Sequence, residues 1–114
     1  MSFLVEETRD NRVQIIRCPK RIDITISSDL RDILSNLIEQ GKYEIVIDLT
    51  QTQYVDSSGL GAIVSRIAAA RSNKGDVRIA GPRKNVKELF QLTHLNQILK
   101  MYDNVEAASL SYER

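Results

Sequence analysis

The chain of 114 residues predicts an α/β domain with a mixed sheet of about five strands and about four helices, in the order β-β-α-β-α-β-α-β-α. Two observations carry that reading. Clusters of β-branched residues alternate with segments whose apolar residues recur every three or four positions, the periods of strands and helices respectively. One strand, Tyr43 to Leu49, is apolar on both faces, as a central strand covered by helices must be. The length suits a single domain over 1–114, able to bury a core without a disulfide or a metal.

Each element has its own signal. Residues 3–7 and 12–18 form a hairpin around Arg9-Asp10-Asn11, where Asp and Asn tolerate turn conformations. Ser27-Ser28-Asp29 offers a helix cap and a first-turn acid. The stripe Leu30, Ile33, Leu34, Leu37 and Ile38 follows, and Gly41 suits a left-handed end. After the central strand, Leu60, Ile63, Val64, Ile67 and Ala68 make a second stripe, with Arg71 and Lys74 in its last turn and Gly75 closing it. Val77 to Ala80 is a short strand stopped by Gly81-Pro82. Val86, Leu89, Phe90 and Thr93 mark a third helix, and Ile98 to Tyr102 a strand. Asp103-x-x-Glu106 has the spacing of a capping box for a last helix reaching about Ser111. The expected core is Leu30, Ile33, Leu34, Leu37, Ile38, Ile45, Ile47, Ile63, Val64, Ile67, Leu89 and Phe90.

Composition excludes several classes of function. With 42% apolar and 27% charged residues the chain is neither disordered nor membrane-spanning. A net charge of +1 argues against general nucleic-acid binding, which needs a basic excess. The N-terminus has no signal-peptide pattern, and a lone Cys18 fits a reducing cytoplasm. One His and one Cys cannot build the usual zinc set, so no metal or cofactor is expected. Cys18 reads as a strand packing residue and His94 as a cap or surface residue.

The informative stretch runs from Tyr54 through Val55, Asp56, Ser57, Ser58, Gly59 and Leu60 to Gly61. Glycines at the first turn of a helix cost about 1 kcal/mol each relative to Ala, and they open its entrance to close approach. Asp56, Ser57 or Ser58 can each serve simply as the helix cap, and on spacing alone that is the commoner use. A dinucleotide fingerprint fails because Val64 holds the third glycine position. A nucleophile elbow fails because Asp56 and Val55, not glycines, stand two residues before the serines. A hydrolase is therefore rejected, and no catalytic residue is expected.

Asp56-Ser57-Ser58-Gly59-Leu60-Gly61, lying between an apolar strand and an amphipathic helix, resembles the signature of bacterial anti-sigma factor antagonists, the STAS-domain proteins. The resemblance extends over the hairpin, Asp23 before the first helix, Val46-Ile47-Asp48-Leu49 and Val86-Lys87-Glu88-Leu89-Phe90. It implies a cytoplasmic, non-enzymatic regulator, expected to be a monomer. Its unphosphorylated form would bind an anti-sigma factor that is also a serine kinase, thereby releasing a sigma factor. Ser58 would be the phosphorylated residue, and a serine phosphatase would reset it. Asp23, Thr25, Asp56, Ser57, Ser58, Gly59, Leu60 and Gly61 would form the partner-binding surface. One departure is Lys20, which stands where the family often has Gly. Other uses of the same framework are a scaffold or accessory subunit of another complex, such as a stress-signalling assembly or a lipid-transport ATPase, and a nucleotide-binding protein. The missing Walker Lys and magnesium-binding acids count against the last.

Overall fold

The computed structural model describes residues 3–112. The hairpin pairs β1 (Leu4–Glu7) antiparallel with β2 (Val13–Arg17), and Asn11 takes the left-handed conformation in its turn. β2 lies parallel to β4 (Glu44–Asp48), β4 to β6 (Asp76–Ala80), and β6 to the short β7 (Met101–Tyr102). The five-stranded sheet thus has the order β1-β2-β4-β6-β7. β3 (Arg21–Ile22) and β5 (Tyr54–Val55) form a separate parallel pair at one end.

Helix α1 (Ser27–Glu39) buries Leu30, Leu34 and Leu37, with Ile33 and Ile38 half-buried beside them. Its end matches the expectation at Gly41, which is left-handed (φ +77°), with the Lys42 N–H reaching the Leu37 carbonyl at 2.9 Å. Its start does not. No side chain caps α1; the Asp23 carbonyl instead accepts the Ile26 and Ser27 N–H groups at 3.1 and 2.9 Å.

The second stripe is broken into α2 (Ser57–Val64) and α3 (Ile67–Ser72). Ser65 bonds back to the Ala62 carbonyl through both its N–H and its hydroxyl, at 3.2 and 2.7 Å, which tightens that turn and ends α2. The left-handed residue after α3 is Lys74 rather than Gly75. Gly75 is required for another reason: a Cβ there would overlap the Tyr43 carbonyl. In α4 (Lys84–Leu92), Val86 and Phe90 are buried and Leu89 is half-buried, while Thr93 is exposed and its hydroxyl bonds to the Leu89 carbonyl. The expected strand over 98–102 shrinks to β7, because Leu95–Gln97 forms a 3-10 turn entered by a left-handed, exposed His94. The last helix, α5 (Val105–Leu110), is capped one residue later than the sequence suggests, by Asn104 accepting from the Ala107 N–H at 2.7 Å.

The sheet has a core on each face. On one, α1 to α4 cover Ile16, Ile45, Ile47, Val77 and Ile79. On the other, α5 and Tyr112 cover Val13, Ile15, Val46 and Ala80. Val46 is fully buried there, so β4 is apolar on both faces for the reason its sequence suggested. Cys18 is buried just past β2, and burial pushes its thiol well above the usual range, leaving it inert.

The Tyr112 hydroxyl sits between β4 and β6. It lies 2.7 Å from the Ile45 carbonyl and 2.8 Å from the Asp76 carbonyl, and accepts from the Ile45 N–H at 3.3 Å. Tyr112→Phe is expected to destabilise by about 1–3 kcal/mol, since the buried backbone groups it serves lose a partner. A urea midpoint equal to that of the wild type would show that they find other partners.

Candidate functional site

The β3–β5 pair assembles the residues singled out in the sequence. The Lys20 carbonyl accepts the Gln53 and Tyr54 N–H groups at 2.7 and 3.1 Å, and the Ile22 carbonyl accepts the Asp56 N–H at 3.1 Å. These bonds set the loop before α1 against the entrance of α2. Arg21 stacks over the Tyr54 ring, 4.3 Å from its centroid. Lys20 is exposed and its φ is not positive, so a glycine is not needed at that position.

Asp56 is the cap of α2. Its Oδ1 accepts the Gly59 N–H at 2.9 Å and the Ser58 hydroxyl at 2.6 Å, and its Oδ2 accepts the Ile24 N–H at 3.2 Å. Three residues of two different segments thus converge on one carboxylate. Ser57 is exposed and Ser58 half-buried, at the second position of the helix. Asp23 shapes the neighbouring loop, its Oδ1 accepting the Thr25 N–H at 3.0 Å and hydroxyl at 2.5 Å, with Arg21 3.6 Å from its other oxygen. Thr25 and Ile24 are both exposed, Ile24 to 75%. Beside them an open groove of about 560 Å³ is lined by Lys20, Arg21, Asp23 and Thr25 among others.

The two glycines differ. At Gly59 a Cβ would lie 2.5 Å from the Ile22 carbonyl oxygen and 2.9 Å from Val55, so this glycine lets α2 pack on the chain's own β3–β5 pair. Gly59 and Leu60 are buried. Gly61 is crossed only by the flexible end of Arg31, where a Cβ would sit 2.9 Å from the guanidinium. Ile24 escaped the sequence reading because an apolar residue in a loop carries no periodic signal; the short β3 and β5 hid its neighbourhood.

The Ser58 hydroxyl, followed by the Gly59 N–H, holds the Asp56 carboxyl below its ordinary value of 3.8. A lowered folded value means the Asp56 contribution to folding is complete above the ordinary carboxylate range and is lost as pH falls through the folded value. In Ser58→Ala the Asp56 midpoint, followed by NMR titration, should rise. An unchanged midpoint would mean that the hydroxyl does not hold the carboxylate.

Among the described residues no cluster of three or more His, Cys, Asp or Glu side chains could hold a metal ion, and no helix is long and apolar enough to cross a membrane. Comparison with known proteins places this geometry in context. The chain is 24% identical over 106 residues to a Staphylococcus aureus protein named anti-sigma-B factor antagonist, covering 93% of this chain and 98% of that one. It resembles a crystal structure from Thermotoga maritima, described as a candidate anti-sigma factor antagonist, at TM-score 0.87 and 24% identity over 98% of this chain and 95% of that one. It also resembles the Bacillus cell fate determinant SpoIIAA in its phosphorylated form, at TM-score 0.76 and 23% identity over 99% of this chain and 100% of that one. A sequence profile described as the STAS domain matches residues 5–108, and the chain therefore belongs to the STAS domain family.

Proposed function

We propose that this chain is an anti-sigma factor antagonist whose binding is ended by phosphorylation of Ser58. The observation that carries the reading is the Ser58 hydroxyl, half-buried beside Asp56 at the entrance of α2 and next to an exposed loop. The S. aureus relative's name and the phosphorylated state of the similar Bacillus protein support it. The partner is an anti-sigma factor that is also a serine kinase. The surface it meets is formed by Asp23, Thr25, Asp56, Ser57, Ser58 and Gly61, with Gly59 and Leu60 shaping the helix from within. The chain works as a cytoplasmic single-domain monomer over 1–114 and catalyses nothing itself.

The kinase moves the γ-phosphoryl of ATP onto Ser58 Oγ. An O–P bond replaces the O–H bond, the proton passes to the kinase's base, and ADP leaves. The phosphate adds about −1.5 to −2 charges. Helix N–H groups and the dipole favour an anion at this end, so the fold survives. A partner pressed against the same spot has to desolvate the new charge, and binding is lost. A serine phosphatase hydrolyses the ester and restores the hydroxyl. Incubation with the anti-sigma kinase of the same genome and ATP, followed by peptide mass spectrometry, should find phosphate on Ser58. Phosphate on Ser57, or labelling that survives Ser58→Ala, would overturn the assignment.

A further inference from the structure

Arg31 is exposed on α1 and, among the described residues, its guanidinium has no hydrogen-bond or ion-pair partner. Its own helix supplies none. The positions three and four residues away hold Ser27, Ser28, Leu34 and Ser35, and Asp29 and Asp32 stand at spacings that face other directions. The side chain lies instead across α2, on which α1 packs, with one guanidinium nitrogen 2.9 Å from the point a Cβ would occupy at Gly61. A helical Cβ leans toward the N-terminus, so that point faces Ser57 and Ser58, four and three residues earlier. Neighbours at those spacings are about 5–6 Å apart at Cβ. An uncommitted cation thus rests about one helical turn from the Ser58 hydroxyl, on a strip of α2 that Gly61 leaves bare.

We infer that Arg31 is the residue that receives a phosphate on Ser58, closing over the bare face at Gly61 to pair with it. The inference rests on the switch proposed above and names the group within this chain that balances the new charge. Transfer from ATP replaces the Ser58 O–H bond by an O–P bond and sends the proton to the kinase's base. The 2.6 Å hydrogen bond to Asp56 Oδ1 is then lost. Asp56 keeps the Gly59 and Ile24 N–H groups and faces the phosphate as a like charge. The helix dipole, equivalent to about half a charge, leaves most of that combined charge unbalanced. The other charged groups at this corner are committed or set apart. Asp23 accepts from Thr25, while Arg21 stacks over Tyr54 and lies 3.6 Å from Asp23. Lys20 lines the groove beside Asp23. Arg31 has a planar fork that matches phosphate oxygens and a flexible stem that can bring it to them. Phosphorylation therefore adds an anion to this surface and in the same step withdraws a free cation from it.

Phosphoserine installed at position 58 of the full chain by semisynthesis tests the contact without a kinase. A guanidinium paired with the phosphate favours its dianion and so lowers its second ionisation. In a phosphorus NMR titration the midpoint of the phosphorylated Arg31→Gln chain should therefore lie above that of the wild type by about 0.5 or more. Arg31→Lys keeps the charge without the fork and should give a smaller rise. The Arg31 Nε–H signal of the wild type should move downfield on phosphorylation, and it decides the matter if a variant does not fold. An unchanged midpoint in Arg31→Gln, or an Nε–H signal indifferent to the phosphate, would overturn the contact. So would an equal rise in Arg21→Gln or Lys20→Gln, since the dianion would then be sensing the general charge of the groove. If no kinase phosphorylates the natural chain at Ser58, the proposed function falls, and the semisynthetic protein still decides the role of Arg31.

Discussion

Ile47→Ala is expected to lower the free energy of unfolding by about 2–5 kcal/mol, the cost of emptying a large buried site. Ile47 is fully buried in β4 and stands in register with Ile16 of β2 and Ile79 of β6. The three side chains form one row beneath the helices, so a cavity at the middle position is walled by strands on both sides and cannot collapse easily. Domains of this size have only about 5–15 kcal/mol in hand. The melting temperature should therefore fall by about ten degrees or more, provided the variant still folds. Ile63→Ala, in α2 above the same core, should act in the same direction. Urea titrations of both variants give the comparison. A loss below about 0.5 kcal/mol at both sites would show that the row is not the centre of the core.

The second large effect is on binding. Ser58→Asp should abolish measurable binding to the anti-sigma kinase while leaving the melting temperature within a few degrees of the wild type. Its carboxylate sits where the helix dipole favours it, so the fold gains about as much as the lost hydrogen bond to Asp56 removes. At the interface the partner has to desolvate the new carboxylate. Ser58→Ala separates the two effects. Because Asp56 and not Ser58 caps α2, the alanine variant forfeits one hydrogen bond, about 0.5–1.5 kcal/mol, and keeps its cap. It should bind as the wild type does and resist being switched off. Calorimetric titration and thermal melts on both variants distinguish a charge-controlled surface from a purely structural helix start. Tight binding by the Asp variant would leave the switch without a physical basis.

The long elements were legible because their apolar spacing has one explanation. Leu30, Leu34 and Leu37 share a helix face whatever else the chain does, and Gly41 can take the left-handed conformation its position demands. Val46 among charged neighbours marked a strand covered on both sides. The shortest elements had no such signature. Arg21–Ile22 and Tyr54–Val55 are too brief to display a period, yet they bring Asp23 and Thr25 alongside Asp56 and Ser58. The break between α2 and α3 was hidden because Ser65 turns the chain by hydrogen bonding without disturbing the apolar stripe. The glycines were ambiguous for a physical reason. Absence of a side chain looks the same in sequence whether the space is taken by a partner or, as at Gly59, by the chain's own Ile22.

Tyr112 also sets a timetable for synthesis. Its hydroxyl meets Ile45, 67 positions earlier, and Asp76, 36 positions earlier. The ribosome delivers β1, β2, α1 and β4 first, and that much of the chain can begin pairing as it emerges. The second face of the sheet has to wait. Val46, Ile15 and Val13 stay open to water until α5 and the tyrosine behind it have left the exit tunnel. During that interval the nascent chain displays a half-covered sheet, the kind of surface that chaperones hold and that neighbouring chains on a polysome can pair with. Slow decoding between β6 and Tyr112 would lengthen the exposure. Substitutions that weaken the Tyr112 contact, the last to form, would leave that interval unchanged and would mainly speed the unfolding of finished molecules.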